Sequence, residues 1–159
     1  MALPADAVAL CRDHFGMTEF PDEGPVVERR DVVALARRLK DELGYLFFMY
    51  CAASHYPADP KAGTADRTMV AYRVRRLPST DGRPTETFPF RLWVPTGETT
   101  PSLARVWAGA DWQEREQFDL VGTVFADHPD LRRIMMPEDW PGHPLRKEYA
   151  IETEHFPWR

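Results

Sequence analysis

The sequence predicts an α+β domain: a small antiparallel or mixed sheet with helices packed against it, followed by an extended proline-rich C-terminal segment. Three observations predict it. Two early stretches place apolar residues at helical spacing. Three stretches between residues 45 and 94 have strand length, and two of them alternate apolar with polar residues. Beyond Gly122 no periodicity persists, and Pro129, Pro137, Pro141, Pro144 and Pro157 forbid a long helix. The chain therefore divides into a core, 1–122, and a tail, 123–159, expected to grip a partner while forming one structural unit with the core.

The first helix is expected over Pro4 to Phe15. Val8, Cys11 and Phe15 recur on one face, as do Leu3, Ala7 and Leu10; Pro4 suits the first turn and Gly16 the stop. Residues 17–30 read as turns. Asp31 is expected to cap a second helix whose apolar stripe is Val32, Leu35, Ala36, Leu39 and Leu43, ended by Gly44. The run Tyr45 to Ala52 reads as a strand covered on both faces. In Thr68 to Leu77, Val70, Tyr72 and Val74 point one way and Arg73 and Arg75 the other. Asp81-Gly82 signals a turn. Phe88 to Val94 alternates again, and Pro89 and Arg91 on its other face mark it as an edge or short strand. Thr100-Pro101 is expected to open a helical stretch facing Leu103, Val106 and Trp107 inward. Asp111 to Glu114 has the spacing of a capping box for a helix that runs to Val121 and stops at Gly122.

Composition narrows the function. A chain of 159 residues with 43% hydrophobic content buries enough surface for a core without disulfides. Its net charge of -5, with both signs mixed along the chain, argues against nucleic acid as the main partner. Cys11 and Cys51 stand far apart with no Cys-x-x-Cys, so no Fe–S or zinc ligand set is visible. Met1 to Arg12 lacks the long apolar core of a secretory signal. The longest apolar run, Tyr45 to Ala53, is too short to cross a bilayer as a helix.

Two constellations invite a chemical reading. Glu114, Arg115, Glu116 and Asp119 share one helix, with Arg115 and Asp119 placed to pair and Trp112 one turn before Arg115. Paired carboxylates serve general acid–base catalysis, solvated ion pairs, or a charged docking surface; the solvated face is the plainer expectation. His128 and His143 sit in Asp127-His128-Pro129-Asp130 and Gly142-His143-Pro144. Without a third ligand at a recognisable spacing, hydrogen-bonding roles precede metal binding. His14, His55 and His155 are isolated. No nucleophile elbow, Walker loop or dinucleotide fingerprint occurs. The tail places Ile134, Met135, Met136, Trp140, Leu145, Tyr149, Phe156 and Trp158 at irregular intervals beside Arg132, Arg133, Arg146 and Lys147. Aromatic residues, Met and Arg are enriched at interface hot spots, so these side chains are expected either to anchor in another protein or to wrap their own domain.

The run Asp111-Trp-Gln-Glu-Arg-Glu-Gln-Phe-Asp-Leu-Val-Gly122 resembles the signature helix of the C subunit family of NADH-quinone oxidoreductases. The run from His128 through Tyr149 is similar to the rest of that signature. The resemblance implies a peripheral-arm subunit of respiratory complex I, at the cytoplasmic side of the inner membrane in bacteria, with no catalytic residues of its own. It implies no cofactor in this chain, since Fe–S clusters, FMN and quinone are expected in partner subunits. The expected neighbours are the large quinone-site subunit and the small subunit holding the terminal Fe–S cluster. The candidate interface residues are Trp112, Glu114, Arg115, Glu116, Asp119, His128, Arg132, Arg133, Trp140, His143, Leu145, Arg146 and Lys147. An equivalent subunit of a membrane-bound hydrogenase or ferredoxin-type oxidoreductase is the alternative, and a small stand-alone enzyme using the Glu/Asp cluster with His128 is another. Three positions depart from the family pattern: His55 where Asp is usual, Asp127 where Gly is usual, and Thr123 in place of a large aliphatic. Asp tolerates left-handed backbone angles, so the turn at Asp127 is expected to survive.

Overall fold

The computed structural model describes residues 3–78 and 85–150. The predicted turn at Asp81-Gly82 and the C-terminal His155, Phe156 and Trp158 lie outside them. The chain forms the expected α+β architecture. Helix α1 spans Ala5–Phe15 and ends as the sequence predicts: Gly16 adopts φ 63°, and the amides of Gly16 and Met17 close on the Arg12 and Cys11 carbonyls. Helix α2 spans Val32–Asp41 and buries Val32, Leu35, Ala36 and Leu39. Asp31 does not cap it through its side chain; it ends a one-turn 3-10 helix, Arg29–Asp31, that runs directly into α2.

Strands β1 (Phe47–Tyr56), β2 (Arg67–Arg76) and β3 (Glu86–Pro95) form one antiparallel sheet in that order. Along β2, Thr68, Val70, Tyr72, Val74 and Arg76 are buried and the intervening residues are half-exposed, the period-two pattern expected of a strand with one covered face. The first strand is shifted toward the C-terminus from the apolar run that announced it, and it is not covered on both faces. Phe48, Cys51 and His55 point to the core, whereas Phe47, Tyr50, Ala52 and Tyr56 are exposed. A bulge between Phe48 and Tyr50 shifts the register.

The inner face carries the core. Tyr72 stacks on Phe90 with ring centroids 5.2 Å apart, Phe48 sits 5.9 Å from Trp107, and the Trp107 indole donates to the Tyr45 carbonyl at 2.8 Å. Each fully buried large side chain of this kind contributes about 1.5–3 kcal/mol. Arg76, buried at the end of β2, ties three elements together by pairing with Asp6 at 2.5 Å, Glu86, and the Leu43 carbonyl.

Both edges of the sheet are occupied. On β1 the outward amides of Cys51 and Ala53 donate to the side-chain oxygens of Gln113 at 2.6 Å and Gln117 at 2.8 Å. On β3, Arg91 turns its N–H and C=O outward to Pro25 and Val27. Pro89, two residues earlier, shares that orientation, so its missing donor takes nothing from the ladder with β2. Gly24 sets the approach: at φ 92° a Cβ there would stand 2.1 Å from the Pro89 carbonyl oxygen. Gly24→Ala is therefore expected to destabilise by about 2–4 kcal/mol, lowering a thermal midpoint by roughly 5–15 °C for a domain of this size. An unshifted melt would show that residues 25–27 are not held against β3.

Two expectations about the following region are corrected. Thr99–Pro101 is a short strand, β4, and the helix does not begin until Ala110. Val124–Ala126 forms β5, which pairs with β4 in parallel and continues in a bond from the Ser102 amide to the Ala126 carbonyl at 2.9 Å. The two strands are too short to show a period in sequence. Between them runs α3 (Ala110–Val121), closed by Gly122 at φ 81°. Among the described residues Asp127 is the one non-glycine with positive φ, at 61°, so Asp here holds the left-handed turn. No helix of the described residues is long and apolar enough to cross a membrane.

Candidate functional site

The pairing of β4 with β5 draws the segments before and after α3 to one side of that helix, and the charge cluster ends up inside rather than solvated. Glu114 has no exposed surface. It does not reach back as a capping-box partner; its carboxylate accepts from Ser102 Oγ at 2.5 Å and from the Leu103 amide at 2.8 Å, anchoring the loop that follows β4. Burial pushes its carboxyl up to about 7, against the opposing pull of the bonds from Ser102 and Leu103, and Asp111 adds to the rise. The same burial holds the Cys51 thiol and the Tyr72 hydroxyl, which lie beside it, well above their ordinary values.

Asp119 is equally buried. It does not pair with Arg115. One oxygen takes the Arg133 guanidinium at 2.7 Å; the other accepts the successive amides of Ile134, Met135 and Met136 at 3.0, 2.7 and 2.9 Å. Desolvation alone would raise this carboxyl, and the three amides with Arg133 outweigh it, holding it below the usual carboxylate range. Arg133 completes the clasp with bonds to the carbonyls of Trp140 and Gly142. Arg115 stacks over Trp112 at 5.5 Å, as its spacing predicts, and reaches the Arg132 carbonyl at 3.2 Å and Asp130 at 3.6 Å. Arg132 itself is exposed and bonded to Asp130, while Glu116 lies half-buried on α3.

Both histidines of the segment serve as hydrogen-bonding struts. His128 accepts the Asp130 amide on Nδ1, so Nε2–H donates to the Asp111 carbonyl at 3.1 Å. His143 donates from Nδ1 to the Asp119 carbonyl at 2.9 Å and packs on Gly122, where a Cβ would approach its ring to 2.6 Å. The Leu145 amide then bonds to the Leu120 carbonyl at 2.8 Å. Residues 128–145 thus run along α3 of their own chain, from the Asp111 carbonyl in its first turn to Leu120 near its end. Among the described residues no group of three His, Cys, Asp or Glu could hold a metal ion. Two surface clefts of about 300 and 290 Å³, one beside Phe15 and Arg91 and one beside Phe47 and Trp107, touch neither Glu114, Asp119 nor His128.

Sequence reasoning treats His55 as isolated, and the structure places it in a junction. Its ring, buried at the end of β1, meets Asp66 at 2.6 Å, Arg146 at 3.1 Å and the Lys147 amide at 3.1 Å. Burial works to raise the Asp66 carboxyl, but the bonds from Thr96 and His55 and the charge of Arg146 hold it below its ordinary value. The departure from Asp to His at this position is the available signal. His55→Ala is expected to free the Arg146 and Lys147 backbone and speed tryptic cleavage there by about tenfold, the effect of losing one or two net hydrogen bonds. A cleavage rate equal to wild type would sink this role. Gln113 and Gln117 also escape the sequence reading, although their i,i+4 spacing puts them on one face.

A family model described as respiratory-chain NADH dehydrogenase, 30 Kd subunit, matches residues 25–155. The chain belongs to this family. Among curated relatives, it is 41% identical over 138 residues to the NADH-quinone oxidoreductase C subunit of Geotalea uraniireducens, covering 84% of this chain and 77% of that one. It is 36% identical over 159 residues to the corresponding C subunit of Geobacter metallireducens, covering 96% and 93% of the two chains. A solved trypsin-resistant fragment of the protein named Nqo5 superposes with a TM-score of 0.60 at 26% identity, over 79% of this chain and 94% of the fragment. The fold of the 30 Kd subunit family is therefore the α+β fold described above.

Proposed function

We propose that this chain is a non-catalytic structural subunit of a proton-translocating NADH:quinone oxidoreductase, bracing the module where electrons pass from the terminal Fe–S cluster to quinone. The observation that carries this reading is how the α3 cluster is used. Glu114 and Asp119 are engaged by backbone amides, a hydroxyl and an arginine of the same chain, so they fix the shape of a surface rather than face a substrate. On that surface Trp112 (68% exposed), Met135 and Leu145 stand outward. Large apolar side chains held in place over a hydrogen-bonded support have the composition of interface anchors. In this reading FMN, the Fe–S clusters and quinone belong to neighbouring subunits. The chief contacts are the large quinone-site subunit and the small terminal-cluster subunit, and the complex holds this chain at the cytoplasmic side of the inner membrane.

The test is to tag the chain in its host, extract membranes in mild detergent, and identify what copurifies. Flavin- and cluster-bearing subunits with NADH:quinone activity support the proposal. A nickel–iron large subunit with hydrogen-dependent activity would replace it with the hydrogenase reading, and a lone protein would overturn both. Trp112→Ala is expected to lower recovery of the assembled complex by about tenfold or more, as loss of a hot-spot side chain does, while the melt of the isolated chain shifts little. Undiminished recovery would remove Trp112 from the interface.

A further inference from the structure

The outer face of the three-stranded sheet is distinct from the surface around α3, and its composition is unlike that of the chain as a whole. The strand registers place Phe47, Arg75 and Thr87 in one row across it, then Tyr50, Arg73 and Pro89, then Ala52, Ala71 and Arg91, then Ser54, Met69 and Trp93, and last Tyr56, Arg67 and Pro95. These fifteen positions hold four arginines and no acidic residue, in a chain whose net charge is -5.

Two of the four arginines are preorganised. The Arg67 guanidinium lies 3.8 Å over the Trp93 ring, Trp93 meets Tyr56 edge-on at 5.2 Å, and the Arg73 guanidinium lies 5.7 Å from the Tyr50 ring. Stacking on an aromatic face fixes a guanidinium and leaves its planar rim for bidentate bonds to an oxyanion. The Nε atoms of Arg67, Arg73, Arg75 and Arg91 are themselves buried and have no hydrogen-bond acceptor among the described residues. The ion pair that touches this face there is a long one, Glu23 with Arg91 at 4.0 Å, at its margin. Between the arginines lie the exposed Ala52 and the half-exposed Ala71 and Met69, while Pro89 in the same face is buried. The three exposed or half-exposed aromatics Phe47, Tyr50 and Tyr56 line the β1 side.

We propose that this sheet face is a docking surface for an acidic segment of a protein partner, whose Asp and Glu carboxylates meet the four arginines while its apolar residues lie between them. Charge complementarity selects this occupant. A second copy of this chain, alike in charge, would set arginines against arginines if it used the same face. A nucleic acid would offer phosphates to the face, yet its charge runs on past it and meets the acidic remainder of the molecule. A short acidic segment satisfies the arginines and ends there.

The test places a photo-reactive benzoylphenylalanine at the exposed Ala52, in the full chain expressed in its host, and identifies the adduct by mass spectrometry. The expected result is one cross-linked peptide, from a different protein, in which Asp and Glu outnumber Lys and Arg. Its yield is expected to fall by about tenfold or more in Arg73→Glu/Arg75→Glu, since like charges then face each other, and to fall when salt is raised before irradiation. If the reversed pair does not fold by thermal melt, Arg73→Gln/Arg75→Gln carries the test, with about a threefold fall expected for two lost rim charges. A nuclease-sensitive adduct, a cross-link to a second copy, a neutral or basic peptide, no adduct, or a yield indifferent to both variants would each overturn the proposal. Copurification reports separately on which complex the chain joins, so either reading can fail alone.

Discussion

Replacing Asp119 with alanine is expected to release residues 131–149 from helix α3 while the three-stranded sheet stays folded. This one carboxylate binds Arg133 and three successive amides, and Arg133 in turn holds the Trp140 and Gly142 carbonyls. Its removal leaves a half-buried guanidinium and three amides without their acceptor. Breaking a buried charged pair by deleting one partner costs about 3–5 kcal/mol, and here the loss falls on one segment. Hydrogen exchange should show the amides of Ile134, Met135 and Met136 losing protection, with the β2 amides unchanged. Equal protection in both places would mean the clasp is not held by Asp119. The pH dependence has a definite sign. A carboxyl held below its ordinary value lends stability that is complete above about pH 4 and is lost as pH falls through its lower folded value. Acid should therefore detach the segment in the wild type, and the alanine variant should lack that acid-dependent step.

Glu114 gives the opposite sign. Its carboxyl stands at about 7 in the fold, pushed up by burial, against about 4.3 in an unfolded chain. Between those values the folded chain holds the extra proton, so stability is greatest below about pH 4, declines as pH rises to about 7, and is flat above. Glu114→Gln keeps the shape and an acceptor for the Leu103 amide without the buried charge. It is expected to stabilise the chain at pH 8 by about 2–3 kcal/mol and to flatten the decline between pH 4 and 7. Glu114→Ala removes the acceptor as well, leaving Ser102 and Leu103 unpaired beside a void, and should destabilise by about 2–4 kcal/mol. Denaturant titrations at pH 5 and pH 8 separate the two. If the glutamine variant were the less stable at pH 8, the ionised form would be the one the core favours.

The regular elements were legible because their signals are local. The αL stops at Gly16 and Gly122, the stripe of α2 and the alternation of β2 each follow from residues within a few positions of one another. The failures share a cause, which is that tertiary partners overrode local pattern. Asp111 and Glu114 have capping-box spacing, but Ser102 and Leu103 offered Glu114 a buried site instead. Arg115 and Asp119 have ion-pair spacing, yet each found a partner in residues 130–136, brought back by β5 and the Asp127 turn. Strands β4 and β5 are three residues each and exist because they pair with each other. Of the candidate site, the cation–π contact of Trp112 with Arg115 was readable from one helix turn; the His55 junction, joining residues ninety-one positions apart, was not.

The glutamines of α3 that cap β1, and the 25–27 segment that covers β3, also bear on what this polypeptide does before it meets its neighbours. A short sheet with bare margins recruits further strands, from copies of itself or from any unfolded chain nearby, and grows into aggregates. Here one margin ends in side-chain amides that a strand cannot extend, and the other is already taken by the protein's own backbone. A freshly made chain waiting for its partners is thereby protected from polymerising through its sheet. Association is left to faces and side chains, where recognition is selective.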